Sequence, residues 1–136
     1  MKKARFMCLI VLAAALLLTG CSGFTMSVTT SGSKTTIKVN NAADGDFIET
    51  NPSSVGKGRV CVVESSLDKG ELRIDFAEAH VFSYEDDDYT VGDVVKSVTV
   101  GPGDREEFDL EKGDYVLQVT AVGEANGKVT VNFEKK

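Results

Sequence analysis

The alternation of apolar and polar residues constrains the fold of this chain more than any other feature. It is clearest near the C-terminus, in two runs whose apolar members share one parity: Tyr115, Leu117, Val119 and Ala121, then Val129, Val131 and Phe133. A two-residue period is that of a β-strand with one buried face, and no stretch after residue 20 shows the 3.6-residue period of an amphipathic helix. The sequence therefore predicts an all-β domain.

The first predicted hairpin follows from the alternation that begins at Phe24. Placing both apolar sets on one face pairs Val28 with Ile37 and Met26 with Val39. The loop that connects the two strands is then Gly32-Ser33. A two-residue loop with glycine first has the chemistry of a type II′ turn. The alternative is that this Ser/Thr-rich segment is disordered.

The last two apolar runs are predicted to form a second hairpin. A three-residue loop, Ala125-Asn126-Gly127, pairs Val119 with Phe133 and keeps both apolar sets on one face. A two-residue loop would instead set Thr120 against Phe133. We therefore predict the three-residue loop, with Gly127 in the left-handed conformation that closes it.

The intervening chain reads as further short strands separated by turns. Strands are predicted around Phe47 and over residues 59–65, 71–76, 79–84, 94–100 and 105–110, with turns at 67–70, 85–88, 101–104 and 111–114. Residues 94–100 carry apolar side chains on both faces, as an interior strand would. Eight or nine short strands favour an antiparallel β-sandwich, jelly-roll or Ig-like, with a closed barrel as the alternative.

The N-terminal segment has the order of a secretory signal. Lys2, Lys3 and Arg5 precede an uncharged apolar run over residues 6–18. As a signal-peptide helix this run would reach about 20 Å, against a hydrocarbon core of about 30 Å. It suits export better than spanning a membrane.

The tetrapeptide Leu18-Thr19-Gly20-Cys21 resembles the lipobox of bacterial lipoproteins. The resemblance implies cleavage before Cys21 and a diacylglyceryl group on its sulfur, and two or more acyl chains anchor a protein stably. The chain then divides into a signal peptide (1–20), a lipidated N-terminus with a minimal linker (21–23) and a β-sandwich domain (24–136). The expected location is extracytoplasmic and lipid-anchored at the cell membrane, or at the outer membrane if the host has one, since Ser22 follows the cysteine.

Charge narrows the range of partners. Loss of residues 1–20 leaves 12 basic against 21 acidic residues, a formal charge of −9. Nucleic acid is disfavoured as a partner, and an anionic bilayer would repel the protein surface, so the lipid on Cys21 supplies the membrane attachment.

No catalytic constellation stands out. His80 is the single histidine, and no nucleophile-elbow glycine pattern surrounds Ser65, Ser66 or Ser83, so a hydrolase is the least favoured class. Cys61 lies in an apolar strand-like run and is predicted to be a buried, inert thiol. The sequence predicts a protein that is not an enzyme and has no cofactor.

Calcium is the one metal that the sequence suggests. Five carboxylates cluster in one loop and its flank: Glu85, Asp86, Asp87, Asp88 and Asp93. Calcium prefers oxygen ligands, but the spacing does not match an EF-hand, and a solvated acidic loop is the simpler interpretation. Asp44 and Asp46 form a weaker second candidate.

Two functional hypotheses remain. The first is a non-catalytic binding or structural module of the cell envelope, with an envelope protein or a glycan as partner. The alternative is a calcium-dependent adhesion or carbohydrate-binding module that uses the acidic loop 85–93. Binding surfaces of sandwiches usually lie in end loops, which here means the polar stretch 41–56 and the acidic loop.

Overall fold

The computed structural model describes residues 25–135, which contain only antiparallel strands and their connections. The predictions for residues 1–24, including lipidation at Cys21, lie outside the described residues. Within the described range, no helix is long and apolar enough to cross a membrane. The strands are β1 (Met26–Ser31), β2 (Lys34–Ala42), β3 (Phe47–Glu49), β4 (Ser53–Val55), β5 (Arg59–Ser83), β6 (Asp88–Val100), β7 (Arg105–Leu110) and β8 (Gly113–Lys135).

Two long strands organise the sheet. β5 has 25 residues and β8 has 23, and they pair with each other from Arg59 opposite Lys135 to Glu78 opposite Tyr115. Their register shifts between Leu67 and Glu71, which marks a bend common to both strands. The first half of the sheet, on one side of the bend, adds β1, β2 and β7, and the second half adds β3, β4 and β6.

The core lies between the two halves. Before the bend, β5 buries odd-numbered residues such as Cys61 and Val63, and after it the even-numbered Leu72 and Ile74. The bulges at the bend change the parity, so both halves turn their apolar faces to one cluster. Phe76 of the second half packs edge-to-face on Phe108 of the first, with ring centroids 5.2 Å apart. The all-β antiparallel prediction is confirmed, with two bent strands shared by the layers of the sandwich.

The bend overturns two predicted turns. Residues 67–70 lie inside β5, and the predicted loop Ala125-Asn126-Gly127 lies inside β8. The two C-terminal apolar runs do face one core, but they pair with β5 and not with each other: Val119 is opposite Ile74, and Phe133 is opposite Cys61. The prediction matched the parity correctly and assigned the partner strand wrongly.

The first hairpin is confirmed in register and turn. Val28 pairs with Ile37 and Met26 with Val39. Gly32 has a φ of 62° and Ser33 does not have a positive φ, which is the type II′ pattern. The strands predicted around Phe47 and over residues 105–110 are also present.

The strand predicted over residues 94–100 has a different position. It belongs to β6, which pairs with β5 alone and forms an edge of the sheet. Val94 is 48% exposed and Val95 46%, whereas Val98 and Val100 are buried. The apolar residues on both faces therefore do not reflect an interior strand. The segment predicted as a separate strand over 79–84 is the end of β5, except for Tyr84, which begins the turn after it.

Candidate functional site: the β5–β6 arm

The ends of β5 and β6 form a hairpin that extends beyond the rest of the sheet. β8 pairs with β5 only as far as Glu78, and beyond that point β5 and β6 pair with each other. We call residues 79–91 the arm. Its turn spans residues 84–87, so the predicted acidic loop is confirmed as a loop, and Asp88 begins β6.

Two tyrosines fix the arm to the sheet. The Tyr84 hydroxyl donates to Asp114 Oδ1 at 2.7 Å and lies 2.9 Å from Ser54 Oγ, which itself donates to the same Asp114 oxygen at 2.6 Å. The hydrogen bonds from Ser54 and Tyr84 hold the pKa of the Asp114 carboxyl below its usual value. The Tyr89 hydroxyl donates to Glu49 Oε2 at 3.0 Å. The arm therefore turns back over β8, β3 and β4.

Burial beneath the arm agrees with this geometry. Val116 lies between the core-facing Tyr115 and Leu117, so its side chain points to the outer face of the sheet. Val116 and its cross-strand partner Ala77 are nevertheless fully buried. Because Tyr84 and Tyr89 of the arm bond to Asp114 and Glu49 on this same face, we attribute the burial of Val116 and Ala77 to the arm, which forms a third layer over this part of the sheet.

The arm presents an aromatic pair, His80 and Phe82, on its exposed side, which we call the outer side of the arm. The His80 and Phe82 rings lie 4.7 Å apart at 50°, and Phe82 is 62% exposed. The acidic turn follows directly, with Glu85, Asp86 and Asp87 all exposed. A ring held on a fixed hairpin among carboxylates can make apolar contact with a partner while the acidic rim attracts a basic one.

The carboxylates proposed for calcium do not form a metal site in the structure. Across residues 25–135, no three Asp, Glu, His or Cys side chains come close enough to hold a metal ion. In the weaker candidate, Asp44 accepts from the Gly123 N–H at 2.7 Å and Asp46 from the Ala43 N–H at 3.0 Å. Those two side chains therefore fasten loops. Calcium binding by the acidic loop stays a prediction.

The remaining predicted residues are dispersed. In the described part of the chain His80 contacts Phe82 and forms no hydrogen bond with a serine or a carboxylate. Cys61 is buried and free, as predicted, and burial raises the pKa of its thiol to about 12. The role of Tyr84 and Tyr89 was not predicted; the one signal in the sequence is that they lie on either side of the acidic run, and it does not identify their partners.

Comparisons with known proteins identify no family. No family model matches the chain, and no curated protein does. Among solved structures, a crystal structure of PirA has a TM-score of 0.48 and 17% identity, covering 78% of this chain and 97% of that one. The carbohydrate-binding module CBM6cm-2 from Cellvibrio mixtus lichenase 5A, in complex with cellotriose, has a TM-score of 0.39 and 14% identity, covering 82% and 87%. A CBM4 structure has a TM-score of 0.38 and 11% identity, covering 87% and 83%.

These likenesses are too distant to assign a ligand or an activity. What the described residues define is an antiparallel all-β domain with a fixed β-hairpin arm.

Proposed function

We propose that this protein is a lipid-anchored, extracytoplasmic, non-catalytic binding module of the cell envelope, and that it binds another envelope protein through the outer side of the arm. The observation that carries the proposal is Phe82, whose side chain is 62% exposed on a hairpin fixed by Tyr84 and Tyr89. Large exposed aromatic side chains on rigid elements are typical centres of binding energy at protein interfaces.

The charge around Phe82 specifies the kind of partner. His80, Glu85, Asp86 and Asp87 are exposed on the arm with Phe82, and the exposed Glu78 directly precedes the arm, so four of these five residues are acidic. A complementary surface would place an apolar pocket over the ring and basic residues around it. Opposite charge accelerates encounter and suppresses wrong partners.

The position of the N-terminus supports an orientation in which the arm lies away from the membrane. Met26, the first residue of β1, pairs with Val39, whose other neighbour is Gly127 at the bend. Met26 follows Cys21 by five positions, a reach of at most about 18 Å. A lipid on Cys21 would hold the bend near the membrane, and the arm, which starts at the opposite end of the sheet, would be held away from the membrane.

Site-specific photocrosslinking in the source cell tests the arm. A photoreactive phenylalanine analogue at position 82 is expected to give one discrete protein adduct, because that ring is central to the contact. The matched control is position 47, where Phe47 is 57% exposed but lies on β3, outside the arm.

The charge dependence adds a second readout. Raising the salt concentration before irradiation is expected to reduce the adduct, since exposed charges are screened beyond about 10 Å at 0.1 M salt. Identical adduct patterns from positions 82 and 47, or none from either, would contradict the proposal.

A further inference from the structure

A second site lies at the end of the sheet away from the bend. A cleft of about 270 Å³ opens between the turn of the β1–β2 hairpin, β4 and the start of β5. Five of its ten lining residues carry a hydroxyl group: Thr30, Ser33, Thr35, Ser53 and Ser54. One lining residue, Arg59, carries a positive charge, and none carries a negative charge.

Arg59 is the charged group of the cleft. Its Nη1 donates to the Phe133 carbonyl oxygen at 3.4 Å, and it forms no ion pair with any carboxylate of residues 25–135. By contrast, Arg73 and Arg105 each have carboxylate partners. In a chain with 21 acidic residues, the guanidinium of Arg59 keeps most of its five N–H donors available to a ligand.

The hydroxyl groups divide into used and available donors. Ser54 donates to Asp114 at 2.6 Å and Ser33 to Asn132 at 3.2 Å, so both protons are engaged. Thr30 and Thr35 share one hydrogen bond of 3.3 Å, which leaves one of their two protons for a ligand. Ser53 supplies another hydroxyl at the cleft wall.

We infer that this cleft binds the carboxylate of a small polyhydroxylated acid, of the uronic acid type. A guanidinium fork matches a carboxylate with two parallel hydrogen bonds, and the Ser53 and threonine hydroxyls can bond the hydroxyl groups of the same ligand. Val55 and Phe133 also line the cleft, and their side chains belong to the hydrophobic core, so the cleft is closed at its base by the core. The volume lies just below the range of about 300–1,000 Å³ of small-molecule sites, which suits one sugar unit.

The cleft continues along β1. A second hollow of about 410 Å³ is lined by Val28, Thr30 and residues 48–53, and it shares Thr30 and Ser53 with the first. An oligosaccharide that ends in an acidic unit at Arg59 could therefore extend along this edge. The site is distinct from the outer side of the arm, so either proposal can fail without the other.

Calorimetric titration of the full-length protein in detergent tests the inference. Glucuronate is expected to bind, with glucose at least about tenfold weaker because it lacks the carboxylate. Arg59→Gln is expected to weaken glucuronate binding at least about tenfold. Arg59→Lys is expected to lose most of the affinity as well, since an ammonium cannot form the fork.

Controls separate binding from folding and from simple charge. Arg105→Gln removes an exposed arginine on β7 and is expected to leave the affinity unchanged. The affinities of the Arg59 variants are interpreted only if their thermal unfolding midpoints equal that of the wild type. If Arg59→Gln does not fold, Arg59→Lys takes its place as the test variant. The inference is overturned if glucuronate does not bind, or if Arg59→Gln binds it as well as the wild type. It is also overturned if sulfate and acetate bind as tightly as glucuronate, because the cleft would then not recognise the hydroxyl groups.

Discussion

At the scale of single residues, Asp75 shows how the outer face of the sheet tolerates a buried charge. It is 7% exposed and accepts from Ser97 Oγ at 2.6 Å and from Arg73 Nε and Nη2 at 3.2 and 3.0 Å. These bonds, that of Arg73 first, lower the pKa of Asp75 below its usual value against the opposing effect of burial. Both carboxylate oxygens have partners, so the charged form is favoured in the folded state.

Substitution of Asp75 with Asn should therefore reduce stability in a pH-dependent way. A carboxyl whose pKa is lowered by folding stabilises the protein above its unfolded-state pKa of about 3.9, and this contribution disappears as pH falls through the folded-state pKa. We expect Asp75→Asn to lower the free energy of unfolding by about 1–2 kcal/mol at pH 7 and by less in acid.

Denaturant titrations at pH 7 and pH 3 measure this difference. Asp93→Asn, which changes an exposed carboxylate on β6, is the control and should have little effect at either pH. An equal loss of unfolding free energy for Asp75→Asn at both pH values would show that the charge of Asp75 does not stabilise the protein.

At the scale of elements, the bend in β5 and β8 depends on close contact between backbones. Gly127 has a φ of 130°, and a Cβ added there would lie 2.5 Å from Leu67 Cα and 2.7 Å from Ser66 O. No side chain fits at that point, because backbone atoms of the neighbouring strand cannot yield as a flexible side chain can.

Gly127→Ala is therefore expected to destabilise the protein by about 3 kcal/mol or more. Gly123→Ala is the matched control: Gly123 also has a positive φ, 72°, but no atom lies within 4 Å of an added Cβ. It should cost about 1–2 kcal/mol, the backbone term alone. Equal losses for the two variants in denaturant titrations would contradict the close-contact explanation.

The same bend explains which elements could be predicted from the sequence. The β1–β2 hairpin is local: the parities of Val28 and Ile37 and the glycine at position 32 determine its register. The glycine at 127 gave the same local signal of a turn. There, however, β8 runs on through the bend without a turn, because its pairing partner is β5: Gly127 is opposite Leu67, 60 residues away in sequence. Parity is visible in a sequence, whereas the choice of partner strand is not.

At the scale of the whole molecule, the candidate surfaces also depend on contacts between distant parts of the chain, which the sequence does not reveal. The acidic loop was predictable from residues 85–88 alone. The attachment of this loop to the sheet was not predictable, because its two bonds join residues far apart in sequence. Tyr84 bonds to Asp114, 30 residues away, and Tyr89 bonds to Glu49, 40 residues away. The Arg59 cleft likewise combines three separate segments of chain, residues 30–35, residues 53–59 and Phe133. Such sites arise from the fold, and composition gives no sign of them.

The membrane attachment proposed for the whole molecule depends on one atom, the sulfur of Cys21. In this proposal export removes residues 1–20, and the chain that would remain, with a formal charge of −9, has no electrostatic attraction to an anionic bilayer. Cys21→Ala is therefore expected to abolish incorporation of radiolabelled palmitate. Cys8→Ala, which changes the other N-terminal cysteine, should leave incorporation intact. Palmitate labelling is the decisive readout, because an uncleaved signal segment could hold the variant at the membrane without any lipid. A Cys21→Ala protein that still takes up palmitate would show that the lipid, and with it the proposed orientation of the arm, is wrongly placed.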